Sequence, residues 1–111
     1  MTPKEFEKLA SATYHKSWDI LEVKKHQYAT EDDRLQNFKR AGALQDITPE
    51  KALRGMMSKH LISISDMVDD LDKDGSPDFD LWDEKLIDTI NYCVLLRALL
   101  VDRFRRIQEK A

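Results

Sequence analysis

The chain has little of what builds covalent cross-links, tight turns or membrane spans. It has one cysteine, Cys93, so an internal disulfide and a four-thiolate zinc site are both excluded. Only 3 glycines and 3 prolines occur in 111 residues, which disfavours a turn-rich β fold. Charges interrupt every long apolar stretch, and the first residues lack a signal-peptide core, so we expect neither a membrane partner nor a leader. A reducing, cytoplasmic setting is the resulting expectation.

Charge of either sign is abundant, at 35% of the residues, but the net charge is only -3. A protein that binds duplex nucleic acid neutralises phosphates with a basic surface, so this balance predicts no duplex nucleic-acid partner. The basic residues from 103 to 106 are interpreted as a cationic helix end. Cys93 lies in an apolar run, which predicts a buried and unreactive thiol.

Helical spacing of apolar residues and helix-start signals recur along the chain. Thr2, Pro3 and Glu5 are typical of a capping box, and the helix they open is expected to end between Val23 and His26, before a loop at 24–33. A short second helix follows Asp33. The 41% hydrophobic content and the length suit one core, so we predict a single all-α domain over residues 1–111, a bundle of about four helices.

The third helix should start at Thr48 and the last should follow a break at 72–80, with Asp80 or Asp83 as its cap and its end near Gln108. The middle of the last helix is apolar on nearly every side, which predicts a central position in the bundle. These two helices should pack antiparallel and bury the following residues: Leu53, Met57, Ile64, Val68, Ile90, Val94 and Leu95.

Polar residues three or four positions apart form a stripe on each of these two helices. Glu84, Asp88 and Asn91 share one face of the last helix, and Lys59 and Asp66 share one face of the third. Carboxylate oxygens suit Mg²⁺, so Asp66, Glu84 and Asp88 are the candidate metal ligands. Spacing alone favours the alternative for both stripes, namely a solvated acidic first turn on the last helix and the solvated side of an amphipathic helix on the third.

Further candidates are nucleotide-binding residues. Lys25, His26 and Tyr28 stand in the predicted loop, where a base could stack and phosphate could be contacted, although a plain connector fits the same residues. Lys59 could neutralise a phosphate, and Asn91 could supply a carbonyl ligand to the metal or a hydrogen bond to a substrate. His60 lies on an apolar face, where a core histidine is the commoner outcome.

The segment from Asp70 to Gly75 matches the first half of a calcium-binding EF-hand loop. Leu81 then stands where the bidentate Glu is needed, so an acidic turn is the favoured interpretation. Whether this loop binds an ion stays open.

An ordered series of short blocks resembles a known family. The blocks are Lys25-His26-x-Tyr28-Ala29, Asp33, Asn37-Phe38, Lys59-His60-x-x-Ser63-Ile64-x-Asp66 and Glu84-Lys85-x-x-Asp88-x-x-Asn91-Tyr92-x-x-Leu95-Leu96. In this order they resemble the small phage and bacterial proteins of the nucleotide modification associated domain 1 family, over roughly residues 20–100. That family is more distantly similar to MazG-like and dimeric dUTPase-like nucleotide pyrophosphatases.

The resemblance implies an all-helical nucleotide-handling protein, in the host cytoplasm if it is phage-encoded, and a homo-oligomer. It implies Mg²⁺ as cofactor and a nucleoside triphosphate pyrophosphohydrolase-like activity. The chain departs from the pyrophosphatase pattern because it has no Glu-x-x-Glu, and because Glu84-x-x-x-Asp88 is one residue longer than the usual second motif. The alternative is a non-catalytic helical module that binds a nucleotide or a protein partner.

Overall fold

The computed structural model describes residues 1–28, 32–73 and 78–110, with the side chains of 26–28 left out. Every regular element in these ranges is a helix: α1 (Pro3–Tyr28), α2 (Gln36–Gln45), α3 (Pro49–Asp69) and α4 (Phe79–Lys110). The prediction of an all-α bundle of about four helices is confirmed. None of the helices in the described ranges has the length and apolar content needed to cross a membrane.

The starts of α1 and α3 follow their capping signals, whereas the starts of α2 and α4 do not. Asp33 was predicted to cap α2, but the N-cap is Leu35 and no side chain in the described ranges caps that helix. Thr2 Oγ1 accepts from the Glu5 amide at 3.2 Å while the Glu5 carboxylate accepts from the Thr2 amide at 3.1 Å, which is a complete capping box. Thr48 Oγ1 accepts from the Lys51 amide at 3.2 Å, as the sequence predicts. For α4 the cap is Asp78, which accepts from the Leu81 amide at 3.2 Å, and the prediction of Asp80 or Asp83 was wrong.

The first helix also runs further than the sequence suggested. Its end at Tyr28 places the first part of the predicted 24–33 loop inside α1. That segment lacks an apolar stripe, but lysine and glutamate are good helix formers, and the ion pair of Lys25 with Glu22 at 2.9 Å supports the last turns.

A close approach fixes the corner between α2 and α3. The Ile47 amide donates to the Gly42 carbonyl at 2.9 Å, and Asp46 adopts a left-handed conformation with φ 56°. A Cβ built on Gly42 would lie 2.7 Å from the Ile47 carbonyl oxygen, a distance that side chains do not tolerate. Gly42 is therefore required by packing, and its low helix propensity is the accompanying disadvantage.

The core forms where α3 packs on α4, with α2 across α3. Leu53 and Leu99 are fully buried, and Leu35 and Phe38 close the cluster from the α2 side. Arg103 donates to both carboxylate oxygens of Glu50, at 2.9 and 2.6 Å. Further along, the rings of His60 and Tyr92 lie 5.2 Å apart. Because Glu50 at the start of α3 meets Arg103 near the end of α4, while the middles of the two helices meet at His60 and Tyr92, the helices are antiparallel, as predicted.

The opposite side of α4 is not covered. Val68 and Val94, both predicted to be buried, are 52% and 48% exposed, and Cys93 is exposed as well. The prediction that α4 lies at the centre of the bundle was therefore only half right. Its neighbours α1 and α3 pack against one side, and no described helix packs against the other.

We expect Gly42→Ala and Gly55→Ala to have opposite effects on stability. The first forces a methyl group against backbone and should lower the free energy of unfolding by about 1–3 kcal/mol. Gly55→Ala places a methyl group in open space within α3, so the gain in helix propensity should raise the free energy of unfolding by about 0.5–1 kcal/mol. Urea unfolding of the two variants measures both values, and a neutral Gly42→Ala would contradict the close approach.

The Glu50–Arg103 pair should make stability depend on pH. Burial is the largest single influence on the pKa of Glu50 and acts to raise it, but the hydrogen bonds from Arg103, a backbone hydrogen bond and the charges of Arg103 and Arg106 together hold that pKa below its usual value. A carboxylate with a lowered folded pKa contributes fully above its unfolded pKa and loses the contribution as pH falls through the folded value. Glu50→Gln should thus destabilise by about 1 kcal/mol at neutral pH, since Arg103 stays partly exposed.

This difference should shrink as the pH falls below about 4, where the wild-type carboxylate is protonated too. Urea unfolding at several pH values tests it, with the exposed Glu7→Gln as the matched control. A difference between wild type and Glu50→Gln that does not change with pH would show that the ion pair adds nothing.

Candidate functional site

A small cavity lies where all four helices meet, with a volume of about 80 Å³. Its polar lining comes from α1, the turn before α2, α2 and α4, and its apolar lining from every helix. The lining residues are Leu21, Lys24, Arg34, Asn37, Phe38, Met56, Asp88, Asn91, Tyr92 and Leu95. Two cationic side chains and one carboxylate thus share a confined space.

Arg34 is held in place by the turn that leads into α2. Asp33 accepts from the Leu35 amide at 2.9 Å and from Lys39 at 2.7 Å, and Leu35 is buried in the core. The Lys39 ammonium lowers the pKa of Asp33, and Asp33 raises the pKa of Lys39, so both stay charged over a wide pH range. With both neighbours anchored, Arg34 extends to α1, where its Nη2 donates to the Leu21 carbonyl at 3.3 Å.

The other Arg34 nitrogen carries the clearest functional signal. Nη1 is buried and has no hydrogen-bond partner within the described part of the chain. A guanidinium is always charged, and leaving one of its donors buried and unmatched is unfavourable by about 1–3 kcal/mol or more. Most such groups are satisfied in native proteins, so this one calls for an acceptor.

Polar contacts between α1 and α4 form the remaining polar wall. Lys24 Nζ lies 3.3 Å from Asp88 Oδ1, with Lys24 39% exposed and Asp88 15% exposed at the side chain. The buried Ser17 hydroxyl donates to the Asn91 side-chain carbonyl, which fixes the orientation of the amide, whose nitrogen can act only as a donor. One carboxylate thus faces two cations, and the described lining keeps a net positive charge.

The aromatic part of the wall is supported from behind. Tyr92 lines the cavity, and its ring lies at 47° to that of His60, which is half-buried on α3 and does not line the cavity. His60 Nδ1 is buried without a hydrogen bond in the described ranges. His60 therefore packs behind Tyr92 and influences the cavity only by positioning the Tyr92 ring.

The structure brings together only some of the predicted site residues. Asp88 and Asn91 line the cavity, whereas Asp66, Glu84 and Lys59 are exposed and do not. Lys25 is paired with Glu22 at 2.9 Å, and the side chains of His26 and Tyr28 lie outside the described residues. The EF-hand-like loop also falls partly outside them. Within the described ranges, no three His, Cys, Asp or Glu side chains are close enough to hold a metal ion.

Sequence reasoning missed Lys24 and Arg34, and it named Asn37 within the family blocks without assigning it to the site. Lys24 stood in a segment interpreted as loop, so its helical face was not considered. Arg34 stands beside Asp33, which was recognised as a helix-start signal, and that signal could have identified an anchored turn. Nothing in the spacing of Arg34 and Asp88 predicts their proximity, because it depends on how three helices meet.

Comparison with known proteins finds no matching family model, no similar curated protein and no similar solved structure. The resemblance of the sequence blocks to nucleotide-handling proteins therefore stays a prediction. The site's own chemistry is what supports a function.

Proposed function

We propose that the cavity binds the phosphate group of a nucleotide or a similar small phosphorylated ligand. The observation that carries this proposal is the buried Nη1 of Arg34, which lacks an acceptor in the described residues, in a cavity that also contains Lys24. Phosphate oxygens are strong acceptors, and guanidinium groups bind them with two parallel hydrogen bonds. Asn91 and Asn37 would add neutral donors to the same anion.

The cavity volume limits how much of the ligand is enclosed. At about 80 Å³ it is roughly half of the 150 Å³ cavity that accepts benzene in another protein. A phosphate group fits this space, whereas a complete nucleotide does not. The sugar and base would therefore lie outside, near Lys24, whose partial exposure places it towards solvent.

Hydrolysis of a nucleoside triphosphate is the second candidate activity, and Asp88 is the observation that favours it. Asp88 is the carboxylate that lines the cavity within the described ranges. Magnesium takes few protein ligands and completes its shell with water and substrate phosphates, so one carboxylate beside bound phosphate is compatible with a magnesium–nucleotide complex. Asp88 would then exchange Lys24 for the metal.

The test of phosphate binding is Arg34→Met, with Arg54→Met as the matched control. Arg54 is exposed on α3, away from the cavity, and carries the same charge. We expect Arg34→Met to weaken binding of inorganic phosphate and nucleotides at least about tenfold, since a charged hydrogen bond is worth about 1.5–3 kcal/mol. Arg54→Met should bind as wild type does.

Calorimetric titration measures the affinities, and amide chemical shifts show whether Asn91 and Tyr92 respond. Circular dichroism confirms that both variants are folded. Equal loss of affinity in the two variants would mean that the anions bind by net charge alone. A wild type that binds none of these ligands would contradict the proposal.

Asp88→Asn separates simple phosphate binding from magnesium-dependent chemistry. If the cavity holds only an anion, removing this negative charge and releasing Lys24 should tighten phosphate binding several-fold. If Asp88 holds Mg²⁺, the same change should weaken the magnesium–nucleotide complex and abolish any hydrolysis, because the amide lacks the charge that this hard cation requires. Titrations with and without magnesium, with product analysis, distinguish these outcomes.

A further inference from the structure

One face of α4 carries a regular apolar pattern that the fold does not use. The pattern alternates steps of four and three residues, which is the spacing of a coiled-coil seam. We call these residues the outer face of α4: Leu86, Ile90, Cys93, Arg97, Leu100, Phe104 and Ile107. Arg97 is its only charged member, and the face extends along most of a helix of 32 residues.

This face points away from the core. Leu53, Phe38 and the other core residues meet α4 through Leu99 and its neighbours, on the opposite side of the helix. Phe104 is 60% exposed and Ile107 is 56% exposed, and all of the outer face is exposed except Ile90, which is half-buried. On α3, Leu61 and Val68 are exposed as well. An exposed apolar stripe along a helix of this length marks an interaction site.

The surface area of the chain points the same way. Its accessible surface is 8572 Å², whereas a folded monomer of 13.0 kDa is expected to expose about 6300 Å². The radius of gyration is 16.9 Å, against about 13 Å expected for this length. The excess surface is larger than the roughly 800 Å² that each partner buries in a standard interface. A single chain thus exposes more surface than a stable monomer of this size does, which favours an oligomer.

We infer that the outer face of α4 pairs with the same face of a second copy of this chain, with the two helices antiparallel. The inference is independent of the cavity, because none of the outer-face residues lines it. A heptad seam of this length is what a two-helix interface requires, and a symmetric dimer uses one patch twice.

The charges at the two ends of α4 favour an antiparallel arrangement of the two α4 helices. The start, from 78 to 85, carries four acidic residues and one lysine, and the end, from 102 to 110, carries four basic and two acidic residues. An antiparallel pair places each acidic end beside the partner's basic end, and it also opposes the helix dipoles favourably. A parallel pair would bring like charges together at both ends.

Arg97 supports the same direction. In a parallel pair the two Arg97 side chains would face each other in one layer, which is unfavourable. The antiparallel register that pairs seam residues with seam residues, one residue away from full overlap of the two α4 helices, instead offsets the two Arg97 residues by four positions, about 6 Å along the axis at a rise of about 1.5 Å per residue. In this register Leu86 lies beside Phe104 of the second copy.

The first test is the mass of the full chain in solution. Sedimentation equilibrium at micromolar concentration should give twice the 13.0 kDa of one chain. Phe104→Glu and Leu100→Glu should each raise the dissociation constant at least about tenfold, because they place a charge in the seam. Leu44→Glu is the matched control, since Leu44 is 88% exposed on α2, away from the outer face, and it should leave the dimer intact.

The second test fixes direction by cross-linking in a Cys93→Ser background. Mixing Leu86→Cys protein with Phe104→Cys protein should give a disulfide-linked pair between the two variants, while each variant oxidised alone should not. Cross-linking of each variant with itself would show a parallel pair and overturn the proposed direction.

A monomer in sedimentation, or a dimer that Phe104→Glu and Leu100→Glu leave intact, would overturn the interface. Circular dichroism checks that these variants fold, and a variant that unfolds is replaced by Ile107→Glu, which lies in the last turn of the seam. A wild type that sediments as a dimer but binds neither phosphate nor nucleotides would reject the proposed function and leave this inference standing.

Discussion

The contact between α3 and α4 is the one on which the rest of the structure depends. Leu53 and Leu99 are fully buried there, and the bidentate pair of Glu50 with Arg103 closes one end. The α2 helix is placed by packing on α3, through a corner that only a glycine at position 42 permits. Once α3 and α4 are paired, Tyr92 and Asp88 have fixed positions, and they form the back of the cavity before α1 adds anything.

The described contacts that attach α1 to α4 are polar. They are the ion pairs of Lys16 with Asp83 and of Lys24 with Asp88 and the hydrogen bond of Ser17 with Asn91. Arg34 also contacts α1, through the Leu21 carbonyl. The polar contacts that hold α1 in the bundle therefore also position Lys24 and Arg34 in the cavity. The contact of α3 with α4, in contrast, is made mainly by apolar packing.

The sequence predicted the helices better than it predicted how they pack against one another. The capping residues at Thr2 and Thr48 act locally, so their signals could be interpreted without tertiary information, and both are present in the structure. The burial of Val68 and Val94 was wrong because periodicity shows that a helix has an apolar face, while it does not show whether the chain itself covers that face. Asp88 and Asn91 were found from their shared stripe, whereas Arg34 was not, since its position depends on a turn. The grouping of Asp66 with Asp88 assumed that two polar stripes face each other, and the described cavity includes only the second.

The polar attachment of α1 has a consequence for folding. Its contacts with α4 connect residues more than sixty positions apart, and they bury little apolar surface in return for closing so long a loop. The contacts of α2 with α3 and of α3 with α4 join neighbours in the chain and bury most of the core. We therefore expect α1 to dock last during folding and to detach first in the native protein, as a local opening below the free energy of global unfolding. Amide protons of α1 would then exchange faster than those of α3, and each such opening would expose Arg34 and Asp88 to water.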